Sequence, residues 1–163
     1  MPLERKNVVT SKGNPVTLLG PEIKVGDKAP DFEVLDNQST VFSSKQAAGK
    51  IRIYNVVTSL DTSICDLQTK RFNEEAAVLG DDVEILTISV DLPTAQKRWC
   101  GAAGVDKVKV LSDHRELSFG LAFGVAIKEL RLLSRSIFIV DKSDTVRYVE
   151  YVKEVASHPD YDK

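Results

Sequence analysis

Apolar and polar positions along the chain change period several times, and each change marks an element. Asn7–Thr10 and Pro15–Leu19 are β-prone runs separated by Ser11-Lys12-Gly13-Asn14, a turn signal, so an N-terminal hairpin is expected. Gly20–Pro30 is rich in Gly, Pro and charge and reads as loop. Phe32–Leu35 and Thr40–Ser43 flank Asp36-Asn37 as a second short extended pair. Ile51–Val57 is β-branched and mostly apolar, the pattern of a buried central strand. Ile64, Leu67, Phe72, Ala76 and Leu79 then recur at helical spacing, and Gly80 supplies a stop. Val83–Ser89 is a second buried strand. Pro93–Ala103 reads as a helix with proline in its first turn. Lys107–Leu111 reads as a strand, Arg115–Phe123 as a helix, and Arg135–Asp141 with Thr145–Val152 as a hairpin turning at Lys142-Ser143-Asp144.

Strands alternating with helices imply βαβ units around a parallel centre, and the closing hairpin adds antiparallel pairing. The expectation is an α/β fold, a mixed central sheet flanked by helices with an N-terminal β-hairpin. With 163 residues and no internal repeat, linker or low-complexity stretch, a single domain over 1–163 is expected.

Composition narrows the function. Charged residues are 28% of the chain and the net charge is −2, so no electrostatic footprint for nucleic acid exists. No apolar run is long enough for a membrane span. The charged start, Met1 to Asn7, has no signal-like apolar core, so a cytoplasmic protein is expected. Two cysteines and two histidines, Cys65, Cys100, His114 and His158, are too scattered for a zinc site, and no metal is expected. Two thiols also make no disulfide scaffold. They are inert, form one structural bridge, or are a redox pair, and a reducing compartment disfavours the bridge.

The segment Asn55–Asn73, NVVTSLDTSICDLQTKRFN, separates these readings best. A buried strand ends near Val57, a polar turn follows, and the helix starts around Ser63, which sets Cys65 in its first turn. There the unpaired backbone N–H groups and the positive end of the helix dipole favour thiolate over thiol. A cysteine of pKa near 8.5 is about 3% thiolate at pH 7; a pKa of about 6 makes it roughly 90%, about thirtyfold more. Asp61 or Thr62 can cap the helix, and the Thr62 hydroxyl can reach the sulfur or an oxygen held beside it. On residues alone, a small buried cysteine at a helix start remains open. So does a helix-buried Cys100 beside Trp99, and a solvated strand-edge Arg135. Lys97-Arg98 read as a solvated helix face, His114 as a turn residue, and Trp99 and the Ile64, Leu67, Phe72 stripe as packing.

Several ordered blocks resemble the thiol peroxidase type of peroxiredoxin. They are SLDTSICDLQTKRFN, the run from Ser89 to Cys100 (SVDLPTAQKRWC), Leu111-Ser-Asp-His114 with Ser118-Phe-Gly120, and Glu129–Asp141. Gly13-Asn-Pro-Val and Val25–Phe32 match as well, so the resemblance runs from about Asn7 to the last residue. It implies a thioredoxin-like fold carrying the N-terminal hairpin as an addition. It makes Cys65 the peroxidatic cysteine, Thr62 the threonine that hydrogen-bonds peroxide, Arg135 the arginine that closes the site, and Cys100 the resolving cysteine of an intrachain disulfide. Thr58 and Ile64 then border the substrate pocket. No cofactor is implied. The implied partners are hydrogen peroxide or an alkyl hydroperoxide, thioredoxin as reductant, and a second copy in a homodimer. A peroxide sensor or relay that uses the same pair to oxidise a partner protein is the alternative. The 35-residue separation of the thiols is unlike a Cys-x-x-Cys motif, and bridging them needs Cα atoms within about 7 Å, so local unwinding is expected in each cycle.

One departure stands out. The family pattern has proline four residues before the catalytic threonine, where this chain has Thr58. Threonine adds a hydroxyl, an N–H and backbone freedom, which implies a looser, better hydrated pocket, a less depressed Cys65 pKa and slower peroxide reduction. Thr94 and Ser134 also differ from expectation. The resemblance further implies an amphipathic helix after Pro159-Asp160-Tyr161, close to Lys163.

Overall fold

The computed structural model describes residues 3–47, 49–60, 67–73, 82–103 and 109–154. The N-terminal hairpin forms from β1 (Glu4–Ser11) and β2 (Asn14–Leu19). It turns at Lys12 and Gly13, both with positive φ (51° and 82°), the backbone that a two-residue hairpin loop demands. The strand β1 starts three residues before the expected Asn7. A register shift between Lys6 and Val9, with Asn7 at φ 62°, absorbs the polar interruption that broke the pattern there.

Among the described residues the central sheet has seven strands. β3 (Glu33–Leu35) and β4 (Val41–Ser43) pair as an antiparallel ribbon, followed by a short 3-10 turn at Ser44–Ala47. β5 (Ile51–Val56), β6 (Val83–Ser89) and β7 (Lys109–Ser112) run parallel in the middle. Residues 67–73 are helical (α1), and α2 spans Pro93–Ala103 as expected. The order across the sheet is β4, β3, β7, β6, β5, then the closing hairpin β10 (Ser136–Val140) and β11 (Val146–Tyr151). The mixed α/β sheet matches the expectation.

Two parts differ from the sequence reading. The expected helix over Arg115–Phe123 is a single turn, α3 (Ser118–Ala122). Leu117 is left-handed, φ 54°, which a helix of L-residues cannot carry through its interior. The Asp113 carboxylate starts the turn instead, accepting the N–H groups of Phe119 (3.0 Å) and Gly120 (2.7 Å). Two further strands, β8 (Ala126–Ile127) and β9 (Leu132–Leu133), join the N-terminal hairpin in a separate four-stranded sheet ordered β1-β2-β8-β9. At two residues each they are too short for any periodicity to show.

The main core lies on one face of the central sheet. Phe32, Tyr54, Phe119, Phe123 and Phe138 meet edge to face, except Phe119 and Phe123, which stack at 4.3 Å between centroids. The hairpin sheet is latched to this core through Arg5, which donates to the carbonyls of Gly20 (3.0 Å) and Gly124 (2.5 Å) and lies over the Tyr151 ring. Gly20 (φ 103°) is required there, since a Cβ would sit 2.2 Å from the Leu121 carbonyl oxygen. A second cluster joins Val57, Leu60, Ile85 and Val110 to Ile53, Phe72, Trp99 and Cys100. It seats α1 and α2 on the sheet and brings Cys100 to the segment that follows β5.

Candidate active site

Open α/β sheets bind their ligands beyond the carboxyl ends of the parallel strands. The turn after β5 lies at that end. Its residues are fixed by Asp91, which follows β6. Asp91 Oδ1 accepts Ser59 Oγ (2.7 Å), while Oδ2 accepts the Leu60 N–H (2.8 Å) and Ser89 Oγ (2.8 Å). Its carbonyl accepts Ser112 Oγ at 2.5 Å, so one aspartate ties together the ends of β5, β6 and β7. Gln96 in α2 adds a second tie, donating to Ser89 Oγ (3.0 Å) and the Leu111 carbonyl (2.8 Å).

Arg135 immediately precedes β10. It is not a solvated edge charge: only 2% of it is exposed. A guanidinium cannot shed its charge, so burial requires acceptors. Its Nη1 donates to Gln68 Oε1 at 2.6 Å. Gln68, on α1 and fully buried, passes the tie inward by donating to Asn55 Oδ1. Asn55 Nδ2 donates in turn to Thr87 Oγ1 (3.0 Å) and Thr69 Oγ1 (3.3 Å). A cation at the mouth of the sheet is thereby held through amide side chains to two central strands. Sequence reasoning missed Gln68 and Asn55. The available signal was Asn55, a polar residue that with Arg52 interrupts the mostly apolar Ile51–Val57 run.

Cys100 is a free, half-buried thiol in α2. Burial pushes its pKa above the ordinary 9.0, partly opposed by a hydrogen bond from the Asn37 side chain. It lies seven residues into a helix that begins at the sheet mouth, about 10 Å along the axis. Thr58 is half-buried, and its hydroxyl oxygen has no hydrogen-bond partner. Thr62, Ile64 and Cys65 lie outside the described residues. Among the described residues no group of three His, Cys, Asp or Glu side chains is arranged to hold a metal ion.

This frame, a parallel-centred sheet with a buried arginine mounted at its mouth and a free cysteine on the adjacent helix, defines a thioredoxin-like oxidoreductase scaffold. The redoxin family model matches residues 24–163. Two thiol peroxidases, from Halalkalibacterium halodurans and Bacillus subtilis, are each 60% identical over 155 residues, covering 95% of this chain and 93% and 92% of the relatives. The crystal structure of a peroxiredoxin-like protein from Aquifex aeolicus superposes with a TM-score of 0.89 at 40% identity, covering 97% of this chain and 92% of the other. The chain belongs to the redoxin family. Within that family it groups with the thiol peroxidases, enzymes of the peroxiredoxin type.

Proposed function

We propose that the protein reduces hydrogen peroxide and alkyl hydroperoxides at Cys65. The buried, amide-mounted Arg135 carries this reading on the structural side. Thiolate attack on a peroxide oxygen breaks the O–O bond and expels hydroxide or alkoxide, which takes up a proton. The sulfur is oxidised to sulfenic acid and the peroxide is reduced to water or alcohol. A fixed cation beside these atoms stabilises both the attacking thiolate and the charge on the leaving oxygen. Cys65 stands three residues before Gln68, the residue that mounts Arg135, in the chain. Thr62 supplies a hydroxyl to the bound peroxide, and Thr58 and Ile64 line its pocket.

Cys100 then condenses with the sulfenic acid, forming an intrachain disulfide and releasing water. Its packing against the buried cluster that contains Val57 and Leu60 supports this role, because that cluster adjoins the segment leading to Cys65. Its position well down α2 supports the expectation that local unwinding accompanies the step. Thioredoxin re-reduces the bond by thiol–disulfide exchange. Dependence on such a dithiol pool fits the cytoplasm, and no helix among the described residues is long and apolar enough to cross a membrane. Leu67 and Leu92, 54% and 55% exposed at the same end of the sheet, suit contact with a second copy in a homodimer.

The test is peroxide consumption coupled to thioredoxin and its reductase, on the parent, Cys65→Ser and Cys100→Ser. The parent is expected to turn over, Cys65→Ser to be inactive, and Cys100→Ser to lose thioredoxin-supported turnover while still consuming about one equivalent of peroxide. Turnover retained by Cys65→Ser contradicts the reading. Slow turnover with mixed disulfides to a partner protein indicates a relay instead.

A further inference from the structure

Asp91 stands where the chain segments leading to both thiols leave the sheet. On the β5 side, the Val57 N–H still donates to the Ile88 carbonyl (3.0 Å). Past that point Ser59 Oγ donates to Asp91 Oδ1 (2.7 Å) and the Leu60 N–H to Asp91 Oδ2 (2.8 Å). Cys65 follows Leu60 by five residues. Leu60 is 3% exposed and belongs to the buried cluster against which Cys100 packs, so its N–H is cut off from water and needs an acceptor from the protein. Asp91 is in turn held by the frame. Its Oδ2 also accepts Ser89 Oγ (2.8 Å), its N–H donates back to that hydroxyl (3.3 Å), and its carbonyl accepts Ser112 Oγ (2.5 Å). On the other side, Asp91 is two residues before Pro93, where α2 begins, and Cys100 is seven residues into that helix.

We infer that Asp91 is a positioning residue for the peroxide step, a hydrogen-bonded anchor for the segment entering Cys65, and that it has no part in the disulfide step; the inference rests on the Cys65 reading above. The two steps make different demands on the anchor. Attack on peroxide needs the sulfur held in line with the bound oxygen, and a misplacement of about 1 Å can cost about a hundredfold in rate. Fixing the chain at Ser59 and Leu60 limits that error. Disulfide formation needs reach instead. Five residues extend to about 17 Å, whereas Cys100 lies about 10 Å along α2 from its start. A chain still pinned at Leu60 is long enough to carry Cys65 to Cys100, so the anchor need not open. Geometry, and not charge, does this work. An asparagine in place of Asp91 can accept the Leu60 N–H and the Ser89 hydroxyl at its amide oxygen and donate from its amide nitrogen to Ser59 Oγ.

The experiment separates the two steps in a single turnover with hydrogen peroxide, on the parent, Asp91→Ala, Asp91→Asn and Ser59→Ala. The second-order constant comes from peroxide loss, and the first-order constant of disulfide formation from Trp99 fluorescence. The second-order constant is expected to fall about tenfold or more in Asp91→Ala and about threefold or more in Ser59→Ala, which leaves the other ties of Asp91 in place. In Asp91→Asn it is expected to return to within about threefold of the parent. The disulfide constant is expected to stay within about threefold of the parent in all three variants. Second-order constants within about twofold of the parent in both Asp91→Ala and Ser59→Ala overturn the anchor and leave the Cys65 reading intact. So does an Asp91→Asn variant as slow as Asp91→Ala, which makes charge the cause. A disulfide step changed about tenfold in Asp91→Ala also overturns it, slower for a general loosening of the protein and faster for a clasp that must open. Peroxide consumption by Cys65→Ser overturns the Cys65 reading and the anchor with it.

Discussion

At the scale of single residues, the site depends on how a permanent cation is kept in a buried place. Arg135 relies on Gln68, and Gln68 relies on Asn55. Replacing Gln68 by Ala leaves a buried amide oxygen and part of a guanidinium without this partner, which costs about 1–3 kcal/mol. Gln68→Ala is therefore expected to lower stability by that amount in a urea melt. It is also expected to slow peroxide reduction about tenfold or more in stopped flow, since the cation loses its fixed position. An unchanged rate constant in a folded Gln68→Ala variant would remove Arg135 mounting from the mechanism. Cys100 has the opposite problem. Its thiol must lose a proton to react, and burial opposes this. Disulfide formation, followed through the fluorescence of the sole tryptophan, Trp99, next to it in the chain, is expected to accelerate with rising pH and still to be rising at pH 9. A rate that is flat from pH 7 to 9 contradicts a half-buried resolving thiol with a raised pKa.

At the scale of elements, α3 shows how one carboxylate replaces a cap and shortens a helix. Asp113 is 2% exposed, and burial pushes its pKa up from 3.8 to about 6, although the backbone N–H groups of Gly120, Phe119 and Ser118 pull it down. Between those two values the folded state holds more proton than the unfolded chain, so this group makes stability fall as pH rises from about 4 to about 6. The full effect is up to about 3 kcal/mol. Asp113→Asn carries no such dependence. The stability of the parent, measured against that variant, is expected to decline across this window; parallel stability curves from pH 3.5 to 6.5 would show that Asp113 titrates normally. The same element marks a limit of sequence reading. Apolar spacing from Arg115 to Phe123 is compatible with a longer helix, and nothing local announces that Leu117 is left-handed. The tertiary contact of Asp113 with the backbone decides it.

At the scale of the whole molecule, the longer elements with clear local signals were legible. The strands β5 and β6, the helix α2 and the closing hairpin all stand within a residue or two of their expected bounds, because β-branched apolar runs mark the strands, Pro93 marks the start of α2 and Lys142-Ser143-Asp144 marks the hairpin turn. The second sheet was not legible, because β8 gains its identity from pairing with β2 of the N-terminal hairpin, far away in sequence, and β9 from pairing with β8. For the candidate site, the sequence offered reactive groups and hid their supports. Cys100 and Arg135 stand out by residue type and resemblance. Gln68, Asn55 and Asp91 acquire meaning only when strand order brings them to one end of the sheet. The account joins these parts into one claim, that peroxide oxidises Cys65 and that Cys100 captures the product within the same chain. Its most direct test is peptide mapping by mass spectrometry after the reduced protein receives one equivalent of hydrogen peroxide. The account predicts a Cys65–Cys100 cross-linked peptide in the parent and a trappable Cys65 sulfenic acid in Cys100→Ser. Peroxide consumed with Cys65 still a free thiol, or with Cys65 oxidised and Cys100 unbridged in the parent, would contradict it.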